Sequence, residues 1–467
     1  MHKVCISPVT RANSVGAVTA WVDNGKIVEA YNEGSTFRGF EIMLEGRDPL
    51  DAPYFTQRIC GICSSMHGLA SCLALENLAR VEPPPNAVRL RNIIVGLDLV
   101  QNHIRHFFML ALWDWVKPPS DSLFQGAYTR DFRLSDEDTS ALHEHYWQGV
   151  DNARIAHEAL TLLGGKTPHN HGLVPGGVSF FPQAEKLMEL RKKIEELSRF
   201  VETVYIQDVQ LLQRNYPEYE QLGQRKESYL SFGLFPFAGS KGFHYNPGIM
   251  IKGKRQPLDL SLISECIGFS YFRGEGGSPL EKKTIPDMSN PNAYSWIKAP
   301  RYQGEPCEGG PLARKALNHT NISVNASMHR IVSRAEEAQQ TVHLLSQWVE
   351  ELEPGEPAYV PFQMPSSGNG LGAIDAMRGP LAHWIAVKKG RIAHFQIITP
   401  SAWNFSPRDE KGNRGPVEEA LLDTPIGDVQ EPVEIGRILR SFDPCYACSA
   451  HVIDKKGKQT GTFTVNV

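Results

Sequence analysis

Two cysteine pairs near opposite ends of the chain set the strongest condition on its fold. One lies in Arg58-Ile59-Cys60-Gly61-Ile62-Cys63-Ser64-Ser65-Met66-His67. The other lies in Ser441-Phe442-Asp443-Pro444-Cys445-Tyr446-Ala447-Cys448-Ser449-Ala450-His451. Each is a Cys-x-x-Cys, followed three or four residues on by a histidine. Two thiolates at this spacing can point the same way on one helical turn or around a tight loop. Two such pairs together offer four soft sulfur ligands, which suit zinc, nickel or an iron–sulfur cluster and not magnesium or calcium. A chain that uses them together must close on itself and bring residue 60 to residue 445.

At 467 residues the chain has ample length for a core. A net charge of −4 gives no reason to expect a nucleic-acid partner. No apolar run is long enough to span a bilayer. Met1-His2-Lys3-Val4-Cys5 runs straight into a strand-like segment, so no signal peptide is expected on this chain. The protein is expected to be cytoplasmic, or associated with a membrane through partners. Eight cysteines are too few for a disulfide scaffold, and the two pairs favour metal binding in a reducing setting. Cys5, Cys72, Cys266 and Cys307 are expected to be ordinary buried residues.

Residues 15–31 alternate around Asp23-Asn24-Gly25 as a β-hairpin. Helical spacing runs from Met66 to Val81, and Pro83-Pro84-Pro85 then breaks the chain. The pattern predicts one long helix over 86–116, apolar over much of its circumference and therefore central. Further helices are predicted over 138–163, 183–214, 327–352 and 431–441. A second hairpin is predicted over 383–398, around Lys389-Gly390. Residues 225–310 read as short strands and turns. With no repeat and no linker, the expectation is one large, mainly helical (α+β) domain over 1–451. It would have a central bundle of long helices and small peripheral sheets or hairpins.

On the cysteine pairs alone, a structural zinc site and a reactive metal remain open. Arg58, His67, Asp443 and His451 flank the pairs without obvious structural duty. At this point the sequence resembles a family. Arg-Ile-Cys-Gly-Ile-Cys-x-x-x-His and Asp-Pro-Cys-x-x-Cys-x-x-His are similar to the two signatures of the large, catalytic subunit of nickel–iron hydrogenases. Phe37-Arg38-Gly39-Phe40-Glu41, Lys298-Ala299-Pro300-Arg301-Tyr302, Gly310-Pro311-Leu312-Ala313-Arg314, Arg378-Gly379-Pro380-Leu381-Ala382-His383-Trp384 and Trp403-Asn404-Phe405-Ser406-Pro407-Arg408-Asp409 resemble further family segments, in family order.

The resemblance implies a nickel–iron centre with carbon monoxide and cyanide on the iron. Cys60 and Cys445 would be terminal nickel ligands, and Cys63 and Cys448 would bridge the metals. It also implies Arg378 over the metals, Asp443 orienting Arg378 or the cysteine loop, His67 donating to a bridging thiolate, and Ser401 bonding a diatomic iron ligand. A magnesium site would use Glu41, the Ile397 carbonyl and His451. Hydrogen would be split heterolytically, with electrons passed to an iron–sulfur small subunit, in a higher oligomer of heterodimers. A maturation protease and metal-insertion proteins would be further partners, because residues 452–467 resemble an extension removed after metal insertion.

Three positions depart from the family pattern: Asn13 stands for a glutamate assigned to proton exit, Asn102 for an aspartate, and Met377 for a proline. An amide carries no proton at neutral pH. The alternative reading is therefore a regulatory hydrogen-sensing subunit with the same centre and low turnover.

Overall fold

The computed structural model describes residues 1–119, 128–180, 183–319 and 325–448, with Cys448 described by its backbone alone. The Cys448 side chain, His451 and the tail 452–467 lie outside the described residues.

Three antiparallel strands open the chain: β1 His2–Ile6, β2 Gly16–Asp23 and β3 Lys26–Gly34. The expected hairpin is β2–β3. Asn24 and Gly25 form its two-residue turn with φ of 48° and 75°, the left-handed backbone that a tight hairpin of this hand needs.

Helices α1 Phe40–Leu44 and α2 Ala52–Thr56 lead to the first cysteine pair, and α3 Ser64–Ala79 leaves it. There follow α4 Pro85–Arg105, α5 Asp136–Gly164, α6 Ala184–Phe200, α7 Ile206–Asn215, α8 Pro311–Asn318 and α9 Ser327–Glu350. Short helices α10 Pro400–Asn404, α11 Pro416–Leu421 and α12 Val433–Ser441 precede the second pair. Helix α4 packs against both α5 and α9, and α6 packs against the same two. Leu97, Val100, Ile104, Phe107 and Phe108 sit in one buried cluster with Cys60, Cys63 and Cys445. The site is thus set in the main apolar core.

Two long helices differ from expectation. After Arg105 the ladder widens into a π-helical turn over His106–Ala111 and tightens over Leu112–Asp114. The 183–214 helix is likewise interrupted by a π segment over Val201–Tyr205. A change of hydrogen-bond register leaves the apolar period almost untouched, so composition cannot reveal it.

The second predicted hairpin is real, pairing Gly379–Lys388 with Arg391–Ile398, and a further strand, Gly368–Ala376, pairs on its other side. Glycines at 368, 370 and 372 hide that strand from a propensity reading. They are there for contact with α3. A Cβ on Gly370 would lie 2.1 Å from the Ala74 carbonyl oxygen, and one on Gly372 would lie 2.0 Å from that of Ala70. The middle strand is buried over nearly its whole length, where a peripheral sheet was expected. Between α7 and α8 the chain makes short strands and turns, among them Ile263–Cys266 paired with Ala299–Tyr302.

Of the four cysteines outside the pairs, Cys72 and Cys307 are buried as expected. Cys5 is exposed and Cys266 half-buried, because each falls on the outward phase of its strand's alternation. No described helix is long and apolar enough to cross a membrane.

Candidate metal centre

The two ends of the chain are tied together by backbone before any side chain acts. Asn13 N–H donates to the Pro444 carbonyl at 3.0 Å, and Ala447 N–H donates to the Asn13 carbonyl at 3.1 Å. Arg38 ties the same segments from another side. Its guanidinium donates to the Arg58 and Ala447 carbonyls, each at 3.0 Å, and to the Ile59 carbonyl. One planar fork therefore holds both cysteine segments. This role was not legible in the sequence, where Arg38 stood only within a family segment.

Cys60, Cys63 and Cys445 come together with their sulfurs within 4.8 Å of one another, all buried. The Cys60 and Cys445 sulfurs are 3.5 Å apart. Asn13 Nδ2 faces this pair, 3.1 Å from Cys445 Sγ and 3.6 Å from Cys60 Sγ. The side-chain amide therefore acts as a donor to both sulfurs.

Arg378 occupies the two-residue turn before Gly379, whose φ of 126° and close approach to Gly309 and Gly310 admit only glycine. Its Nε donates to the Asp443 carbonyl at 3.1 Å. Its Nη2 donates to Asn102 Oδ1 at 2.6 Å and Asp443 Oδ1 at 3.1 Å. Asn102 Nδ2 closes the triangle on Asp443 Oδ2 at 3.0 Å. Asp443 thus orients Arg378 and is itself part of the cysteine loop. Burial opposes charge on Arg378, but Asp443 and the Cys445, Cys63 and Cys60 sulfurs hold its guanidinium well above the ordinary range. Burial also opposes charge on Asp443, and Arg378, His106 and Arg334 hold its carboxyl well below the usual range.

His67, on α3, is fully buried and held neutral, its value lowered to about 4 chiefly by burial. Its Nδ1 lies 3.2 Å from His383 Nε2, and the chain continues through Ser71 to Thr56. The opposite nitrogen, Nε2, has no hydrogen-bond partner among the described residues. Ser401 is buried in the first turn of α10. The N-cap there is Thr399, whose hydroxyl accepts from Ala402 N–H, so Ser401 is not needed as a cap.

Glu41, on α1, is not part of the sulfur group. Its Oε1 accepts from Gln396 Nε2 at 2.9 Å and from Ile397 N–H at 3.3 Å. Glu41, Ile397, Glu265 and Lys298 line a cavity of about 80 Å³. His451, the third residue expected there, lies outside the described residues.

The donor set fits a nickel site. Three soft sulfurs converge, and Arg378 Nη1 and His67 Nε2 are buried without hydrogen-bond partners among the described residues. Buried donors left open in this way are costly unless a further group meets them.

The comparisons agree with this geometry. The family model for nickel-dependent hydrogenase matches residues 38–121 and 120–451. The periplasmic [NiFeSe] hydrogenase large subunit of Desulfomicrobium baculatum is 35% identical, covering 97% of this chain and 95% of its own. The uptake hydrogenase large subunit of Rhodobacter capsulatus is 30% identical, covering 99% and 97%. The Ni-Fe-Se hydrogenase of D. vulgaris Hildenborough in its reduced state superimposes with a TM-score of 0.93 at 37% identity, over 96% of this chain and 100% of that one. The chain belongs to the nickel-dependent hydrogenase family. Within that family it is a large subunit, and the protein is an oxidoreductase.

Proposed function

We propose that this large subunit splits hydrogen heterolytically into protons and electrons. The electrons pass to an iron–sulfur small subunit, because no second cluster of cysteines occurs among the described residues to carry them. Cys60 and Cys445 would hold nickel, and Cys63 and Cys448 would help to hold an iron that would carry carbon monoxide and cyanide. When bound, this nickel–iron centre supplies the site at which hydrogen is cleaved. The chain's own residues set its surroundings. Arg378 places a fixed positive charge over the sulfurs, and Asp443 and Asn102 hold its planar fork in orientation. Asn13 donates to the two terminal sulfurs. Glu41, the Ile397 carbonyl and His451 would hold a magnesium ion, a hard cation suited to oxygen ligands. The tail 452–467 is removed after metal insertion.

One observation carries the reading: a charged guanidinium, buried and with an open donor, faces three converging thiols. A purified preparation with its partner should oxidise hydrogen with an artificial acceptor. A nickel-loaded complex that neither oxidises hydrogen nor exchanges it with water would sink the reading.

A further inference from the structure

Heterolysis needs a group that takes the proton on from the sulfurs, and Asn13, Asp443 and His67 are poorly suited to it. The Asn13 amide has no ionisable proton. Both carboxylate oxygens of Asp443 are engaged, by Arg378 and Asn102. His67 is a weak acceptor, lowered to about 4 chiefly by burial.

One face of α4 carries what is missing. Asp98, Asn102 and Arg105 lie four and seven residues apart, so they share a face. Asn102 on that face bonds Arg378 at 2.6 Å. Asp98 is 4% exposed. Ser65, two residues after Cys63, hydrogen-bonds it through both backbone and hydroxyl, and the same hydroxyl accepts from Asn170 Nδ2 at 2.8 Å. The charged groups facing Asp98 are Arg105 on its own helix and Arg378 from the sheet turn. Arg105 in turn faces Arg378, Asp443, Cys60 and Cys445, and it bears on His157 of α5. The carboxyl therefore belongs to the same electrostatic neighbourhood as the terminal sulfurs.

Asp98 Oδ2, Gln101 Oε1, Arg105 Nε and Nη2, and Arg378 Nη1 are all buried without a hydrogen-bond partner among the described residues. Buried polar atoms left open in this way are the kind that ordered water satisfies, and water relays protons.

We propose that Asp98 is the proton acceptor of the sulfur site, taking the proton released on hydrogen cleavage through ordered water between Arg378 and Arg105. This rests on the hydrogen-splitting function above. The carboxylate becomes a carboxylic acid, gaining one proton and no electrons. The two electrons leave separately, to the iron–sulfur partner. Burial raises Asp98 to about 7, against the pull of Ser65, Arg105 and Arg378. A group with that value both accepts and returns a proton near neutral pH.

The test uses the nickel-loaded complex and deuterium–water exchange, a reaction that needs no electron acceptor. Asp98→Asn should slow exchange about 100-fold with nickel content unchanged, and Asp98→Glu should recover most of the rate. Independently of turnover, infrared difference spectra of the wild-type complex should contain a carboxylic-acid band titrating at about 7 that is missing from Asp98→Asn. If Asp98→Asn does not fold, the Asp98→Glu rate and the displacement of the band in Asp98→Glu from its wild-type position decide, since Glu418 is also raised to about 7. Wild-type exchange in a nickel-loaded Asp98→Asn complex, or the lack of any carboxyl titrating near neutral pH, overturns the proposal and leaves the function intact. A nickel-loaded wild type without exchange overturns the function, and the proposal with it.

Discussion

Two buried arginines meet at the turn of the same hairpin, and they are used differently. Arg314 has every donor engaged. Its Nε and Nη2 bind Glu337 at 2.6 and 2.8 Å, its Nη1 binds Asp375 at 2.9 Å, and the Ala376 and Met377 carbonyls take the rest. Arg378, next in the chain after Met377, keeps Nη1 open beside the sulfurs. The saturated arginine fixes the end of the strand, and the unsaturated one meets whatever the sulfurs hold. A buried pair need not add net stability, but breaking one leaves a stranded charge.

That contrast can be broken by mutation. Arg314→Ala should lower unfolding stability by about 3–5 kcal/mol, read from the denaturant midpoint, because Glu337 and Asp375 lose their shared partner. Arg378→Lys should cost about 10²–10³ in hydrogen oxidation while the midpoint moves little, since an ammonium cannot reproduce the planar fork. If Arg378→Lys instead unfolds the chain and keeps its specific activity, the two roles have been assigned the wrong way round.

A third prediction sharpens the structural side. Glu337 is held at about 2, against an ordinary 4.5. Burial pushes it up, and Arg314 and His103 more than offset that. A carboxyl depressed in the folded state stabilises fully above its unfolded value, and that stability is lost as pH falls from 4.5 towards 2. Glu337→Gln should flatten the fall in stability across that window, as followed by acid titration of the unfolding midpoint. A wild-type profile that is already flat there would count against the ion pair.

The smallest effect is expected at Asn13. Its amide donates to the sulfurs but has no ionisable proton, so Asn13→Glu should raise deuterium–water exchange several-fold by adding a second acceptor. An unchanged rate would mean that residue 13 is off the proton path.

The cysteine motifs, the two hairpins and most helices were legible because each depends on local spacing. Cys60, Cys63 and Cys445 were identified, and the structure brings their sulfurs together. Arg378 and Asp443 were named as partners and are bonded to each other. What escaped was carried by distance in sequence or by backbone. Arg38 clamps carbonyls up to 409 residues away, and no local pattern encodes that. The Gly368–Ala376 strand is glycine-rich because α3 lies against its backbone, and propensity scores such a strand as a loop. Asp98 and Arg105 were absorbed into a long apolar helix. Only the position of Arg378 beside α4 turns them from core anomalies into neighbours of the sulfurs.

The most direct test is the nickel content of the purified complex, measured for the wild type, Cys60→Ser and Cys445→Ser. The account predicts one nickel per chain in the wild type and none in either variant. Full nickel in both variants, or zinc in place of nickel in the wild type, would contradict it.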